Sequence, residues 1–171
     1  MEPREQCYND TVHALASLAA QYPQITFHLH VGTNGHGAPN SIQTGVDFLL
    51  QAGSLPNMML GLRMGILQAQ GVTAGSLTAV KSKVGMLFAA AIAFDPWNGS
   101  DGTVSQARML NDKAPLSTMS DADAKVYTAY LQAVQFDTWV VVDAFLPDLA
   151  DGINAQEDAE YREFNALRKL L

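Results

Sequence analysis

Three of the four histidines in the chain lie close together in the sequence, namely His28, His30 and His36. His28 and His30 fall in the segment Ile25–Val31, where apolar and polar residues alternate as expected for a β-strand. Residues two apart in a strand point to the same side, so the two imidazoles lie side by side. His36 follows in a glycine-rich segment that could fold back towards them. Neutral imidazole binds zinc, nickel and copper, and an open coordination position would activate a water molecule.

The same pattern also has a purely structural interpretation. A His-x-His pair can form the solvent-facing side of a half-buried strand without binding a metal. Further ligands that the sequence offers are Asp47, His13 and Asp95. We predict a metal site at His28, His30 and His36 and name no catalytic residue. We expect no cofactor other than a transition metal such as zinc, which this site would bind.

The glycine-rich segment Gly32–Gly37 resembles a phosphate-binding turn in outline, because it lies between a strand and the start of a helix. It lacks the Gly-Lys-Ser/Thr ending of a P-loop. It also lacks the Gly-x-Gly-x-x-Gly spacing of a dinucleotide-binding turn. We therefore interpret it as an ordinary turn and assign no cofactor-binding residue to it.

The elements that would position these histidines are mostly helices. Apolar periodicity, capping residues and Gly or Pro stops predict helices at Arg4–Gln21, Pro56–Gln70, Thr73–Phe94, Val104–Asn111, Ser120–Leu146 and Asn154–Leu171. A further helix is predicted to end at Ala52, with either Asn40 or Ser41 as its cap. The run Thr138–Phe145 is β-branched and aromatic and also fits a strand, although we favour the helix. The predicted fold is mainly α, a compact bundle of six or seven helices with one short N-terminal strand. A minor α+β variant stays open, and residues 1–171 are expected to form one globular domain.

A lone strand presents a difficulty, because its backbone N–H and C=O groups need hydrogen-bond partners. Three partners for Ile25–Val31 remain open on the sequence alone. They are Thr138–Val142, a segment near Leu116, and a strand from another chain.

Charge is scarce in the first half of the chain. Charged residues make up 16% of the sequence, against roughly 25% in typical globular proteins. Between Asp10 and Lys81 the only charged residues are Asp47 and Arg63. Exposed helix faces are normally charged, so this half predicts burial against a protein partner or in a homo-oligomer. A compact helical core with Met58–Leu67 and Val84–Phe94 at its centre, wrapped by the charged terminal helices, would explain the same pattern without a partner. The main functional hypothesis is a non-catalytic structural or interaction subunit of a larger assembly, such as a virion, secretion or enzyme complex.

Two alternative functions stay open. The first is a small metal-dependent enzyme that uses His28, His30 and His36. The second is a binder of a small apolar ligand, because methionines can line an adaptable cavity. The methionines in question are Met58, Met59, Met64 and Met86.

The overall composition argues against nucleic-acid-binding, disulfide-bonded and membrane-spanning proteins. The formal net charge is −7, which repels phosphate and argues against a nucleic-acid partner. Cys7 is the only cysteine, so no internal disulfide is expected. The apolar run Val84–Phe94 is too short for a membrane span, which needs about 20 residues. The charged start of the chain does not read as a signal peptide, and we expect a cytoplasmic protein.

Overall fold

The computed structural model of the protein describes residues 3–31, 41–98, 104–135, 138–144 and 153–171. Its helices are α1 (Pro3–Gln21), α2 (Ile42–Gln51), α3 (Met64–Ala69), α4 (Ala74–Ala79), α5 (Asp121–Ala133) and α6 (Ile153–Arg168). Its strands are β1 (Phe27–Val31), β2 (Met58–Arg63), β3 (Val84–Ala89), β4 (Ala91–Asn98), β5 (Val104–Ala114) and β6 (Trp139–Val142). No helix within these ranges is long and apolar enough to cross a membrane.

Four of the strands form one parallel sheet in the order β1-β2-β3-β6. Phe27 pairs with Met58 at the start of the β1–β2 ladder, and every pair in this sheet is parallel. Parallel neighbours need a long crossover connection, usually a helix, and helices lie between all four strands in the chain. β4 and β5 form a separate antiparallel pair. The described chain is therefore an α/β protein with successive β-α-β units.

The register gives the parallel sheet two different faces. One face packs into the hydrophobic core together with the helices. Its residues are Phe27, Leu29, Val31, Met58, Leu60, Leu62, Val84, Leu87, Ala89, Val140 and Val142. The opposite face, which we call the open face, carries His28, His30, Met59, Gly61, Arg63, Met86, Phe88, Trp139 and Val141. Strand residues alternate between faces, so this assignment follows directly from the pairing.

Two helices are held in place by specific hydrogen bonds to segments outside the parallel sheet. In α5, the Tyr127 hydroxyl donates to the Ala90 carbonyl at 2.6 Å, and the Tyr130 hydroxyl donates to the Val72 carbonyl at 2.6 Å. Burial raises the pKa of the Tyr130 phenol. In α6, Glu163 is only 3% exposed. Its carboxylate accepts hydrogen bonds from the Leu116 backbone N–H at 2.5 Å and the Ser117 backbone N–H at 3.2 Å.

Three of the predicted helix starts are confirmed by their caps. The Ser41 hydroxyl accepts a hydrogen bond from the Thr44 backbone N–H, and the two residues form a reciprocal capping box. Thr73 caps α4, and Ser120 caps α5 in the same way. A side-chain oxygen at the N-cap satisfies an N–H that the helix itself leaves unpaired.

The predicted mainly α bundle with a single strand is wrong. Met58–Arg63 and Val84–Ala89 are central strands of the parallel sheet rather than helical segments. Val104–Ala114 is likewise a strand. Strands buried on both faces carry continuous apolar runs, and periodicity alone cannot distinguish these from buried helices.

The three pairing partners that the sequence left open for the N-terminal strand are also wrong. β1 pairs with β2. The strand alternative for Thr138–Phe145 is confirmed over Trp139–Val142, which pairs with β3 instead.

Candidate functional site

The carboxyl ends of the four parallel strands gather a group of polar and aromatic side chains. Ligands in α/β sheets and barrels bind at this end of the strands, because the loops that follow the strands meet there. His30 lies near the end of β1, Arg63 ends β2, and Phe88 lies near the end of β3. Asp143 follows β6 directly. Four elements that are distant in sequence therefore supply one cluster.

Arg63 connects this cluster across the sheet. Its Nη2 donates to the Asp143 Oδ2 at 2.5 Å, so the ion pair spans the intervening strand β3. The Arg63 Cζ lies 5.6 Å from the centroid of the Phe88 ring, within the range of a cation–π contact. The His30 and Phe88 ring centroids are 4.3 Å apart, with planes tilted by 59°.

Gly61 makes this packing possible. A Cβ added at Gly61 would lie 3.1 Å from the Phe88 Cε2 and 3.2 Å from the His30 Cδ2. Such distances are tighter than ordinary van der Waals contact, so a larger residue would push the two rings away. The glycine in β2 therefore fixes where His30 and Phe88 lie.

The cluster combines hydrogen-bond donors, hydrogen-bond acceptors and an aromatic ring. The Arg63 and Asp143 side chains are 17% and 26% exposed, so they are held by their neighbours yet reachable from solvent. Arg63 supplies N–H donors and Asp143 supplies carboxylate acceptors. The Phe88 ring adds an apolar surface beside them, and a few polar groups beside apolar surface are typical of small-molecule sites.

His28 lies on the same open face as His30 but nearer the amino ends of the strands. A Cβ added at Gly85 would lie 2.6 Å from the His28 Nε2, so the imidazole lies directly over that glycine. His28 is one of several residues that line a cleft of about 500 Å³. The others are Thr26, Met59, Val84, Gly85, Thr138 and Trp139. This cleft lies at the amino end of the sheet, away from the edge at which barrel enzymes place their chemistry.

Two of the three histidines of the predicted metal site, His28 and His30, lie in the described part of the chain. His36 lies outside the described residues. Within the described ranges, no group of three or more His, Cys, Asp and Glu side chains could hold a metal ion. Of the further ligands, Asp47 accepts a hydrogen bond from Gln43 along α2. These donors alone therefore do not fit a metal, and a metal site would depend on His36.

Three residues of the cluster escaped the sequence interpretation: Arg63, Phe88 and Asp143. One signal could have found Arg63, because it is an isolated charge at the end of an apolar run. The methionines do not line one cavity. Met58 and Met64 belong to the core, whereas Met59 and Met86 belong to the open face.

No protein-family model and no curated protein matches the sequence. The fold is similar to that of D-psicose 3-epimerase with D-tagatose from Clostridium cellulolyticum H10, with a TM-score of 0.70 and 14% identity over 99% of this chain and 57% of that chain. It is similar to L-ribulose 3-epimerase, with a TM-score of 0.57 and 17% identity over 95% of this chain and 56% of that chain. It is also similar to D-allulose 3-epimerase from Methylomonas sp. in complex with D-allulose, with a TM-score of 0.62 and 17% identity over 95% of this chain and 54% of that chain.

The chain thus spans just over half the length of these proteins. At such low identity the likeness shows the fold alone, in which four parallel strands alternating with helices match part of a TIM-barrel epimerase. This finding contradicts the prediction of a non-catalytic structural or interaction subunit.

Proposed function

We propose that the chain forms part of a (βα)8-barrel enzyme that acts on a small carbohydrate at the carboxyl ends of its strands. The observation that carries the proposal is the convergence of His30, Arg63, Phe88 and Asp143 at that edge. The similar structures bear the names of sugar 3-epimerases. The proposed reaction class is therefore epimerisation of a ketose at the carbon next to its carbonyl group.

The cluster offers a group for two requirements of that reaction, removal of a proton and stabilisation of the carbonyl oxygen, and the proton donor on the opposite face would have to come from outside these four residues. Epimerisation removes a proton from the carbon beside the carbonyl and returns a proton to its opposite face. His30 is the proposed proton carrier, because imidazole is the side chain best suited to proton exchange near neutral pH. Arg63 would donate a hydrogen bond to the carbonyl oxygen as negative charge develops on it. Phe88 is buried in contact with the His30 ring and with Arg63 and would position both, and Asp143 would hold Arg63 in place.

A transition metal bound by His28, His30 and His36 is an alternative to proton transfer by His30, because an imidazole that binds a metal ion cannot also carry the substrate proton. Such an ion would polarise the substrate carbonyl when bound. Elemental analysis of protein purified without chelator tests this, with His30→Ala and His36→Ala as variants. One metal ion per chain that is lost in both variants supports the site. Metal-free protein whose unfolding temperature does not respond to added zinc would remove the metal from the proposal.

A further polypeptide that completes the sheet is also proposed. A closed barrel of this type has eight strands, whereas the described parallel sheet has four, so β1 and β6 each keep one unpaired edge within the described ranges. Unpaired edges are templates for strand addition. Most of the exposed large apolar side chains belong to the elements at these two edges. They are Leu18, Tyr22 and Ile25 on the β1 side and Trp139, Tyr161 and Phe164 on the β6 side.

Native mass spectrometry tests this completion. A second copy or another chain would appear as a discrete complex, and Trp139→Asp would weaken it by placing a charge at the β6 edge. A chain that stays monomeric at every protein concentration tested would contradict this part of the proposal.

Proton exchange on a ketose tests the catalytic proposal. D-Tagatose is incubated with the protein in D2O, and ¹H NMR follows the loss of the proton at carbon 3 and the appearance of the 3-epimer. We expect exchange with the unmodified chain and a rate at least about a hundredfold lower for His30→Ala, the usual range for loss of an acid–base group. The exposed His13 on α1 gives the matched control, His13→Ala. Absence of exchange, or equal rates in both variants, would contradict the proposal.

A further inference from the structure

A cleft of about 610 Å³ lies between α5, the turn Leu116–Thr118 and α6. Three of its lining side chains are basic, Lys125, Arg162 and Lys169, whereas one is acidic, Asp121. Three positive charges and one negative charge leave a formal charge of +2 in the cleft, although the net charge of the chain is −7. The volume lies within the range of small-molecule sites. None of the lining residues belongs to the cluster at the carboxyl edge of the sheet.

Helical spacing brings the basic side chains to one place. Arg162 and Lys169 are seven positions apart, which places them on the same side of α6 and the turn that follows it. Lys125 and Thr128 are three positions apart and share a side of α5. Thr128 lies next to the end of α6, because its hydroxyl donates to the Leu170 carbonyl at 3.1 Å. The facing sides of two helices therefore form the basic walls of the cleft.

Hydrogen bonds hold the walls of the cleft in place. The Thr128–Leu170 bond joins α5 to the turn after α6. The buried Glu163 carboxylate joins α6 to the backbone N–H groups of Leu116 and Ser117. The cleft is thus built into the fold, and a ligand would not have to order its walls on binding.

The two lysines are not engaged with acidic groups. Neither Lys125 nor Lys169 makes an ion pair with a residue in the described ranges, and both are exposed. Lys125 lies four residues after Asp121, the spacing of a helical ion pair, yet no such pair forms. The helix dipole favours a cation at the carboxyl end of a helix, which accounts for Lys169 but not for Lys125 near the start of α5. Arg162 has an interaction of its own and adds only nearby positive charge.

We infer that this cleft binds a phosphate monoester with an apolar body. Lys125 and Lys169 bind the phosphate oxygens as point charges, and two lysines match the nearly double negative charge of such a group at neutral pH. The apolar part of the ligand contacts the lining residues Leu116, Met119 and Leu170. This inference does not depend on the proposed function, because the two sites have no residue in common.

Titration of the ¹⁵N-labelled full chain with phenyl phosphate, followed by ¹H–¹⁵N correlation spectra, tests this inference. We expect the amide signals of Lys125, Ala166 and Lys169 to shift, whereas those of His30 and Arg63 stay in place. Inorganic phosphate and phenol each offer one half of the probe. Both should bind at least about tenfold more weakly than phenyl phosphate, because each lacks one of the two kinds of contact.

Three variants decide whether the lysines hold the phosphate. Lys125→Gln and Lys169→Gln should each weaken the binding of phenyl phosphate at least about tenfold, as expected for the loss of one hydrogen bond to a charged group. Lys81→Gln makes the same change at an exposed position outside the cleft and should leave the affinity unchanged. Equal losses in all three variants would show a general response to the charge of the chain and would overturn the inference.

Two results with the unmodified chain would also overturn it. The first is the absence of shifts in the cleft at saturating phenyl phosphate. The second is phenol that binds as tightly as phenyl phosphate, because the lysines would then contribute nothing. Neither result bears on proton exchange with a ketose, so failure of this inference and failure of the proposed function are distinguishable.

Discussion

Replacing Gly85 by alanine should lower stability in the observed structure, where an added Cβ has no room, and would raise stability in the helix predicted from the sequence. In the structure, Gly85 is buried in β3, where the pairing register with β2 shifts. An added Cβ would lie 2.6 Å from the His28 Nε2 and 2.9 Å from the Met59 Cβ. The Met59 Cβ is attached to the backbone of the neighbouring strand and cannot turn away. The methyl group would therefore force β2 and β3 apart or displace His28.

The magnitude follows from the cost of overpacking. An extra methyl group in a tightly packed site costs about 1–3 kcal/mol. Alanine also lowers the entropy of the unfolded chain, which offsets about 0.4–1 kcal/mol of that cost. We expect Gly85→Ala to lower the free energy of unfolding by about 1–2 kcal/mol, or the melting temperature by about 2–8 °C in a chain of this size. In the helix predicted from the sequence, it would raise that free energy by about 0.5–1 kcal/mol.

Urea unfolding followed by far-ultraviolet circular dichroism measures this change. The matched control is Gly75→Ala in α4, where the nearest atom to an added Cβ is the Thr73 Oγ1 at 3.7 Å. That variant should raise the free energy of unfolding by about 0.5–1 kcal/mol, because alanine is the better helix former. If Gly85→Ala raised stability as Gly75→Ala does, the β2–β3 pairing and the position of His28 would be refuted.

Two further predictions concern buried polar groups. Glu163→Ala removes the carboxylate that accepts hydrogen bonds from the Leu116 and Ser117 backbones, and should lower the free energy of unfolding by about 3 kcal/mol. The neighbouring exposed change Glu160→Ala should cost less than about 0.5 kcal/mol, and equal effects in urea unfolding would contradict this role for Glu163. Burial raises the pKa of Tyr130, so the folded state keeps this proton at a pH where the unfolded state loses it. The resulting stability is present below the unfolded pKa of about 10 and is lost as the pH rises further. Tyr130→Phe should therefore show a shallower loss of stability above that pH, and equal slopes would contradict the prediction.

Capped helices could be predicted from the sequence because their signals are local. Ser41, Thr73 and Ser120 each precede a helix and hydrogen-bond to a backbone N–H within it. The strand β1 could be predicted for a similar reason. It lies at the edge of the sheet, and its histidines on the open face preserve the alternation of polar and apolar residues.

The central strands could not be predicted in this way. β2 and β3 lie inside the sheet, and both of their faces carry mainly apolar residues or glycine. The period of two is therefore absent, and Met58–Arg63 followed directly by α3 resembles one continuous helix. These two strands are identified only by their parallel pairing with segments that lie beyond whole helices in the sequence.

The site illustrates the same limit. His30 could be proposed from its residue type, because histidine near a glycine-rich turn indicates metal or proton chemistry. Arg63 and Asp143 are 80 positions apart in sequence and meet because β2 and β6 flank β3. No spacing rule connects them. Their pairing required the sheet order.

The most direct test of the central claim is a titration of ¹⁵N-labelled protein with D-tagatose, followed by ¹H–¹⁵N correlation spectra. The account predicts that the amide signals of His30, Arg63, Phe88 and Asp143 shift together at the carboxyl ends of the strands. The signals of Thr26 and Met59 in the amino-end cleft should stay in place. Shifts confined to that cleft, or no shifts at saturating sugar, would contradict a carbohydrate site at the carboxyl edge of the sheet.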